Sequence, residues 1–186
     1  LPLPDRPSIA VLPFANLGGD PEQDYFADGL SEDLITALAK YRWFFVIARN
    51  SSFTYRGRNV AVQQVGRELG VRYVLEGSLR LQDDHLRVNV ELVDPGTRLP
   101  AWSAHIERDV AVRDQILDEI VGRLARELQV EIFQNESRRE RAELDVEELY
   151  YKGFAAIFAA STEGPAALKR AEAFFLQALA REPRSR

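Results

Sequence analysis

A Gly18-Gly19 pair, then Asp20-Pro21, then carboxylates at Asp24, Asp28 and Glu32 form the stretch of this sequence best placed to do chemistry. A glycine turn ahead of a helix can offer backbone N–H groups to a phosphate, and carboxylates can hold a hard cation. Neither pattern is complete. GxGxxG and GxxxxGK[ST] are both missing, and no lysine stands in the turn to meet a phosphate. Asp20 at the helix cap would itself repel an anion from the positive helix end. The stretch therefore reads as a strand, a turn and a capped helix.

The acids pose the sharper question. Asp24, Asp28 and Glu32 recur at i, i+4 and i+8 and stack along one helix face. Like charges so placed cost about 0.2–0.5 kcal/mol per pair, so something offsets them: water, an arginine, a docking partner or a cation. A cation needs oxygens converging from several directions, which one helix face supplies poorly. Downstream, "RNSSFTYRGR" concentrates Arg49, Arg56 and Arg58 with Ser51, Ser52 and Tyr55. Such a segment can bind a phosphorylated ligand through bidentate arginine contacts, or it can pair with the acidic helix face, within the chain or between copies. Pairing is preferred because it accounts for both features at once. These six residues, Asp24, Asp28, Glu32, Arg49, Arg56 and Arg58, are the candidate partner or ligand contacts.

Nothing else in the sequence assembles a reaction centre. His85 sits in a turn and His105 in a strand-like run, neither with a serine, a cysteine or a second histidine at motif spacing, and HExxH is absent. No catalytic residue, metal ligand or cofactor is expected. With no cysteine the chain has no disulfide, thiolate metal site or cysteine nucleophile. A net charge of −5 argues against a broad nucleic-acid or anionic-membrane surface, and the arginine patch is small against that acidic whole. No run reaches the length of a membrane span and no signal peptide opens the chain. There is no methionine at all, initiator included, so the chain reads as a piece of a longer protein.

The elements that must position these residues follow from periodicity. Ser8 to Phe14 reads as a strand covered on both faces, with Pro13 near its end. A helix is expected over about 21–41, with Asp20 as N-cap, Pro21 at its first position and Gln23 closing a capping box. Its apolar stripe runs through Phe26, Leu30, Leu34 and Leu38. Trp43 to Ala48 reads as a second buried strand, residues 49–59 as a loop, and Val62 to Leu69 as a short helix stopped by Gly70. A third strand begins at Val71, with a bulge or bend at Gly77. Leu86 to Val93 then alternates with period two, Asp83-Asp84 forms the turn before it, and Leu99 to Glu107 returns as a strand around Trp102. Trp43, Phe44 and Trp102 are expected in the core. A long helix is expected over 113–133, with Ile116, Leu117, Ile120, Val121, Leu124 and Leu128 on one face. The fold class is α/β: a mixed sheet with flanking helices in the order βαβαβββα, followed by a C-terminal helical hairpin. The expected divisions are a linker over 1–7, an α/β domain over 8–135, a charged linker over 136–145 whose start (136–143) reads as a solvated linker or a helix extension, and the hairpin over 146–186.

The hairpin resembles a tetratricopeptide repeat. Gly153, Ala171, Phe175, Ala178 and Pro183 carry identities that repeat favours, while Ala156 replaces an aromatic and "STEGPAA" looks like an insertion lengthening the turn. One such repeat cannot bury its own face, which implies the start of a larger solenoid. The front of the chain is the stronger match. "SIAVLPFANLGGDPEQDYFADGLSEDLITAL", "FFVIARNSSFTYRGR" and "VQQVGRELGVRYVLEGSLR" resemble the TolB amino-terminal-like (FlgO-like) domains that precede such repeats in bacterial class III adenylate cyclase-type signalling proteins. Similar segments lie beside CadC-like winged-helix regulators. The resemblance implies a non-catalytic regulatory and protein-interaction region, with the cyclase catalytic domain outside this chain. Phe26-Ala27-Asp28-Gly29 echoes a cyclase metal-binding strand, but here it falls within a helix and is read as accidental. A protein or peptide partner on the repeats and a homodimer are expected, without nucleic acid or membrane in this segment. A cytoplasmic location is expected, or a periplasmic one if an export segment precedes it. The alternatives are a nucleotide or anion sensor, with ligand between the glycine turn and the arginine segment, and an envelope-associated TolB-like module or a CadC-like regulator segment.

Overall fold

The first apolar run forms β1 (Ser8–Val11), and all four of its residues are buried. The computed structural model describes residues 6–97, 99–109, 113–138 and 145–181, which fall into two units divided between Leu128 and Gln129. The first unit is built on a six-stranded mixed sheet of order β3-β1-β4-β5-β6, with β2 (Ala15–Asn16) beside β4 (Tyr73–Gln82). β1 runs parallel to β3 (Phe45–Val46) and to β4. β4, β5 (His85–Asp94) and β6 (Leu99–Asp109) form an antiparallel meander. The α/β class with a mixed sheet is as the sequence implies.

Several local expectations are corrected. The strand expected over 8–14 stops at Val11, because Pro13 has no N–H to donate and the Phe14 N–H turns to Ser31 Oγ at 2.9 Å. The first helix begins as a 3-10 turn over Pro21–Gln23 before α1 (Asp24–Ala39). Asp20 caps it by accepting from the Glu22 N–H. The capping box is not made: Gln23 Nε2 donates to the Asp20 carboxylate instead, at 3.2 Å. The expected strand over 43–48 shrinks to the two residues of β3, and the expected loop after it is α2 (Arg49–Ser52) followed by a 3-10 turn at Phe53–Tyr55. Phe44 is buried, but Trp43 and Trp102 are only partly so. Trp102 lies on β6, at the edge of the sheet, and Trp43 stacks on Tyr41.

β4 divides the unit. Leu75, Gly77, Leu79 and Leu81 look to one face, with the buried Leu86, Val88, Val90 and Leu92 of β5 beside them. The buried stripe of α1, Phe26, Leu30, Leu34 and Leu38, belongs to this unit, as do Ile120, Leu124 and Leu128 of α4 (Arg113–Arg138). On the other face, Val74 joins Ala10, Tyr55, Val65 and Val71 in a second apolar cluster. That cluster is covered by the 3-10 turn and by α3 (Val62–Leu69), which ends on Gly70 at a φ of 62°. From Glu76 onward the same face of β4 carries polar residues.

Gly77 marks no bulge. Pairing with β5 runs unbroken through Gly77↔Val90, and the register shift falls instead between Leu92 and Val93 on the β5–β6 side. The glycine is needed for space: a Cβ there would lie 2.6 Å from the Phe14 ring and from the Asn89 carbonyl oxygen. The β4–β5 turn is the two-residue Asp83-Asp84, at φ 48° and 61°, the left-handed pair that suits the twist of a hairpin.

α4 runs to Arg138, past the 133 expected, so the start of the expected charged linker is helical. Residues 139–144, Pro183 and the Ile116 side chain lie outside the described residues. In the second unit Asp145 and Glu148 close a capping box at the start of α5 (Val146–Glu163). The turn to α6 (Pro165–Arg181) is Gly164 alone, at φ 70° and ψ −158°. The insertion read in "STEGPAA" is therefore absorbed as helix on both sides of that glycine, with Pro165 at a first helical position. A Cβ on Gly153 would meet the Phe175 ring at 2.5 Å, so the two helices touch through the missing side chain. Phe133 stacks with Phe154 and Phe158 in this unit. No helix among the described residues is long and apolar enough to cross a membrane.

Two glycines separate space from propensity. Gly77→Ala is expected to destabilise by about 1–3 kcal/mol through overpacking. Gly29→Ala, inside α1 with nothing within 4 Å of its Cβ, is expected to stabilise by about 0.5–1 kcal/mol. Urea unfolding of the two variants checks both signs.

Candidate functional site

The candidate residues on α1 and in the arginine segment come together. α1 presents its acids one turn apart, and α2 with the following 3-10 turn returns the arginines along the same side. Glu32 accepts from Arg49 Nε at 2.5 Å, Asp28 pairs with Arg56, and Asp24 accepts from Asn16 Nδ2 at 2.8 Å. Phe53 lies between the two paired guanidinium groups, 4.2 Å from that of Arg49 and 5.1 Å from that of Arg56. Arg58 stands apart from the acids, over the Tyr55 ring at 5.3 Å. The Tyr55 hydroxyl donates to Glu68 of α3 at 2.5 Å, and Gln64 donates to the same carboxylate at 2.7 Å.

This arrangement neutralises charge more than it offers any. The Arg49–Glu32 pair is about half exposed, so its Coulomb term is small. The ring between the arginines adds a cation–π contribution of about 0.5–1 kcal/mol at exposed sites. The glycine turn is also closed by its own side chains: the Gly18 N–H donates to Asn16 Oδ1, and the Glu22 N–H to Asp20. A ligand between turn and arginines would have to displace these contacts. The hydrogen bond from Tyr55 and that from Gln64 hold Glu68 below the usual carboxylate range. Burial, then the bond to Glu68, pushes Tyr55 upward. Among the described residues no three His, Asp or Glu side chains stand where they could hold a metal ion.

A second constellation went unread in the sequence. The bare face of the β4–β5–β6 meander carries cross-strand rows: Arg80, Arg87 and Glu107 in one; Ser78, Asn89 and His105 in the next; Glu76, Glu91 and Ser103 in a third. Glu107 takes Arg87 at 2.9 Å and His105 at 3.1 Å, and the His105 hydrogen bond, then Arg87, holds it below the usual range. His105 also meets Asn89 Oδ1 at 2.6 Å, and His85 meets Asp109 at 2.5 Å. Both histidines are exposed. The alternation of β5 was legible, but its partners across β4 depend on register. A two-residue turn at Asp83-Asp84 was the available signal for that register.

The sequence profile of the family described as "HilA/YgeH-like transcriptional regulator, second domain" matches residues 5–123. The chain belongs to that family. The HilA/YgeH-like match thus spans the sheet and both constellations and stops within α4. A relative from Rhizobium meliloti (strain 1021), named "Putative adenylate cyclase 3", is 46% identical over 147 residues, which is 78% of this chain and 25% of that protein. The chain therefore spans about a quarter of the relative's length. Among solved structures, lipoprotein GNA1162 from Neisseria meningitidis matches with a TM-score of 0.48 at 16% identity, covering 66% of this chain and 96% of that one. TolB from Acinetobacter baumannii matches with 0.46 at 19%, covering 67% and 29%.

The Tyr55–Glu68 bond of this HilA/YgeH-like domain has a defined pH signature. The lowered Glu68 contributes stability above the glutamate range of the unfolded chain, lost as the pH falls through its folded value. The raised Tyr55 contributes below the tyrosine range, lost as the pH rises through its folded value. Tyr55→Phe is expected to lower the Tm at neutral pH. The gap to wild type should narrow below the glutamate range and above the tyrosine range. Thermal unfolding across that pH span checks it.

Proposed function

We propose that this chain is a non-catalytic regulatory region of a bacterial adenylate cyclase-type signalling protein, with cyclase chemistry carried by residues outside it. The observation that carries this reading is the 46% identity to a quarter of a protein named as a cyclase. The chain's own polar groups support it. Arg49 and Arg56 are engaged with Glu32 and Asp28, and its histidines sit exposed on the sheet face and its hairpin. In this reading the α/β unit relays or scaffolds and acts without a cofactor.

The second unit fits a tetratricopeptide-like role, in which helix pairs stack and recruit a protein or peptide. α6 leaves Leu168, Leu176 and Leu179 exposed, the kind of stripe a stacked neighbouring helix covers. The family match favours a second reading, in which the same domain serves a transcriptional regulator whose DNA-reading part lies elsewhere. The acidic balance of this segment favours nucleic acid on that other part in this reading. The location is cytoplasmic in both readings.

Residues 1–186 alone are expected to form no cyclic AMP from ATP. The full-length protein is expected to form it, with turnover altered by deleting this region. Cyclic AMP measured from the three proteins checks this. Activity in residues 1–186 would overturn the non-catalytic reading. An inactive full-length protein that binds a DNA operator would favour the regulator.

A further inference from the structure

The polar sheet face carries two like-charge pairs, and among the described residues only Arg87 of the four has an oppositely charged partner within the chain. Glu76 and Glu91 stand directly opposite in the β4–β5 ladder, and so do Arg80 and Arg87. Like charges directly opposite destabilise an antiparallel pair. Arg87 has Glu107. Among the described residues Glu76, Glu91 and Arg80 have no oppositely charged or hydrogen-bonding partner. Burial and the facing Glu91 push Glu76 above the usual carboxylate range. The acidic pair and the basic pair lie four residues apart on each strand, about 13 Å. They are equidistant from the Ser78–Asn89 row. Arg80, Arg87 and Asn89 are exposed.

We propose that this face joins two copies of the chain, stacked sheet against sheet about a two-fold axis crossing the strands at the Ser78–Asn89 row. Reversing the strand direction about that row places Glu76 and Glu91 of each copy on Arg80 and Arg87 of the other. An isologous contact needs a surface complementary to itself, and an acidic pair and a basic pair equidistant from one line provide it. A peptide of a single charge would match one end and meet repulsion at the other. The patch, three strands by seven residues, measures roughly 14 by 20 Å. That is small for a specific interface, so association is weak, concentration-dependent and salt-sensitive. The inference concerns the sheet alone and stands whether or not the longer protein is a cyclase.

Sedimentation velocity on residues 1–186 tests it across a concentration series at low and high salt. Wild type is expected to dimerise with concentration and to dissociate in high salt. Arg80→Glu/Arg87→Glu leaves these three rows without a lysine or arginine, and Glu76→Arg/Glu91→Arg leaves Glu107 as their one acid. Each folded variant, checked by circular dichroism, is expected to be monomeric alone. Their equimolar mixture should form a heterodimer within about tenfold of the wild-type affinity, because all four opposing pairs are again of opposite charge. If the half-buried Glu76 site does not tolerate reversal, the Arg80→Glu/Arg87→Glu protein decides alone, since both its positions are exposed. A wild type that stays monomeric at low salt would overturn the proposal. So would an Arg80→Glu/Arg87→Glu variant that dimerises like wild type, or two folded variants that ignore each other.

Discussion

β4 is the strand on which the first unit depends, because it must satisfy two kinds of neighbour at once. On one side β1 and β2 run parallel to it, and on the other β5 runs antiparallel. Parallel strands need a crossover between them and are covered on both faces. Its opening residues, Tyr73 to Leu75, are accordingly buried outright. Its antiparallel half needs cover on one face only. Gly77 sits between the stretch of β4 paired with β1 and the stretch paired with β2, its absent side chain filled by the Phe14 ring. The fold accordingly has one sheet face apolar along the meander and the other apolar only as far as α3 reaches.

Charge is handled differently on the two sides of that boundary. Around α1 and α2 each side chain finds a local complement: carboxylate against guanidinium, guanidinium against ring, hydroxyl against carboxylate. Groups satisfied in this way hold elements in place and leave little for a ligand. On the meander, the ladder sets residues opposite one another by register alone, and it sets like against like. The most conspicuous charge cluster in the sequence is therefore spent within the fold. Unspent charge stands on a strand face that looked like ordinary alternation.

The functional reading is correspondingly one of architecture. The chain belongs to a family described as a regulator's second domain, and it matches about a quarter of a longer relative. The second unit's helices meet through Gly153 and Phe175 and leave leucines exposed.

The sequence by itself determined the elements whose signals are local. The alternation in β5, the α1 stripe, the Asp20 and Gly70 caps and the helical hairpin are all periodicities or single-residue preferences within one turn or strand. It also carried the acid–arginine pairing, because one helix face with three acids and a nearby run of arginines leave few other arrangements. The tertiary structure decided what depends on distant partners. β3 kept only two residues because the chain turns into α2 at Arg49, and Gly77 proved a packing position because Phe14, far off in sequence, needs that space. Register decided the rest: no period within β4 or β5 says that Glu76 will face Glu91 and Arg80 will face Arg87, because strand pairing brings together residues whose spacing along the chain carries no trace of it.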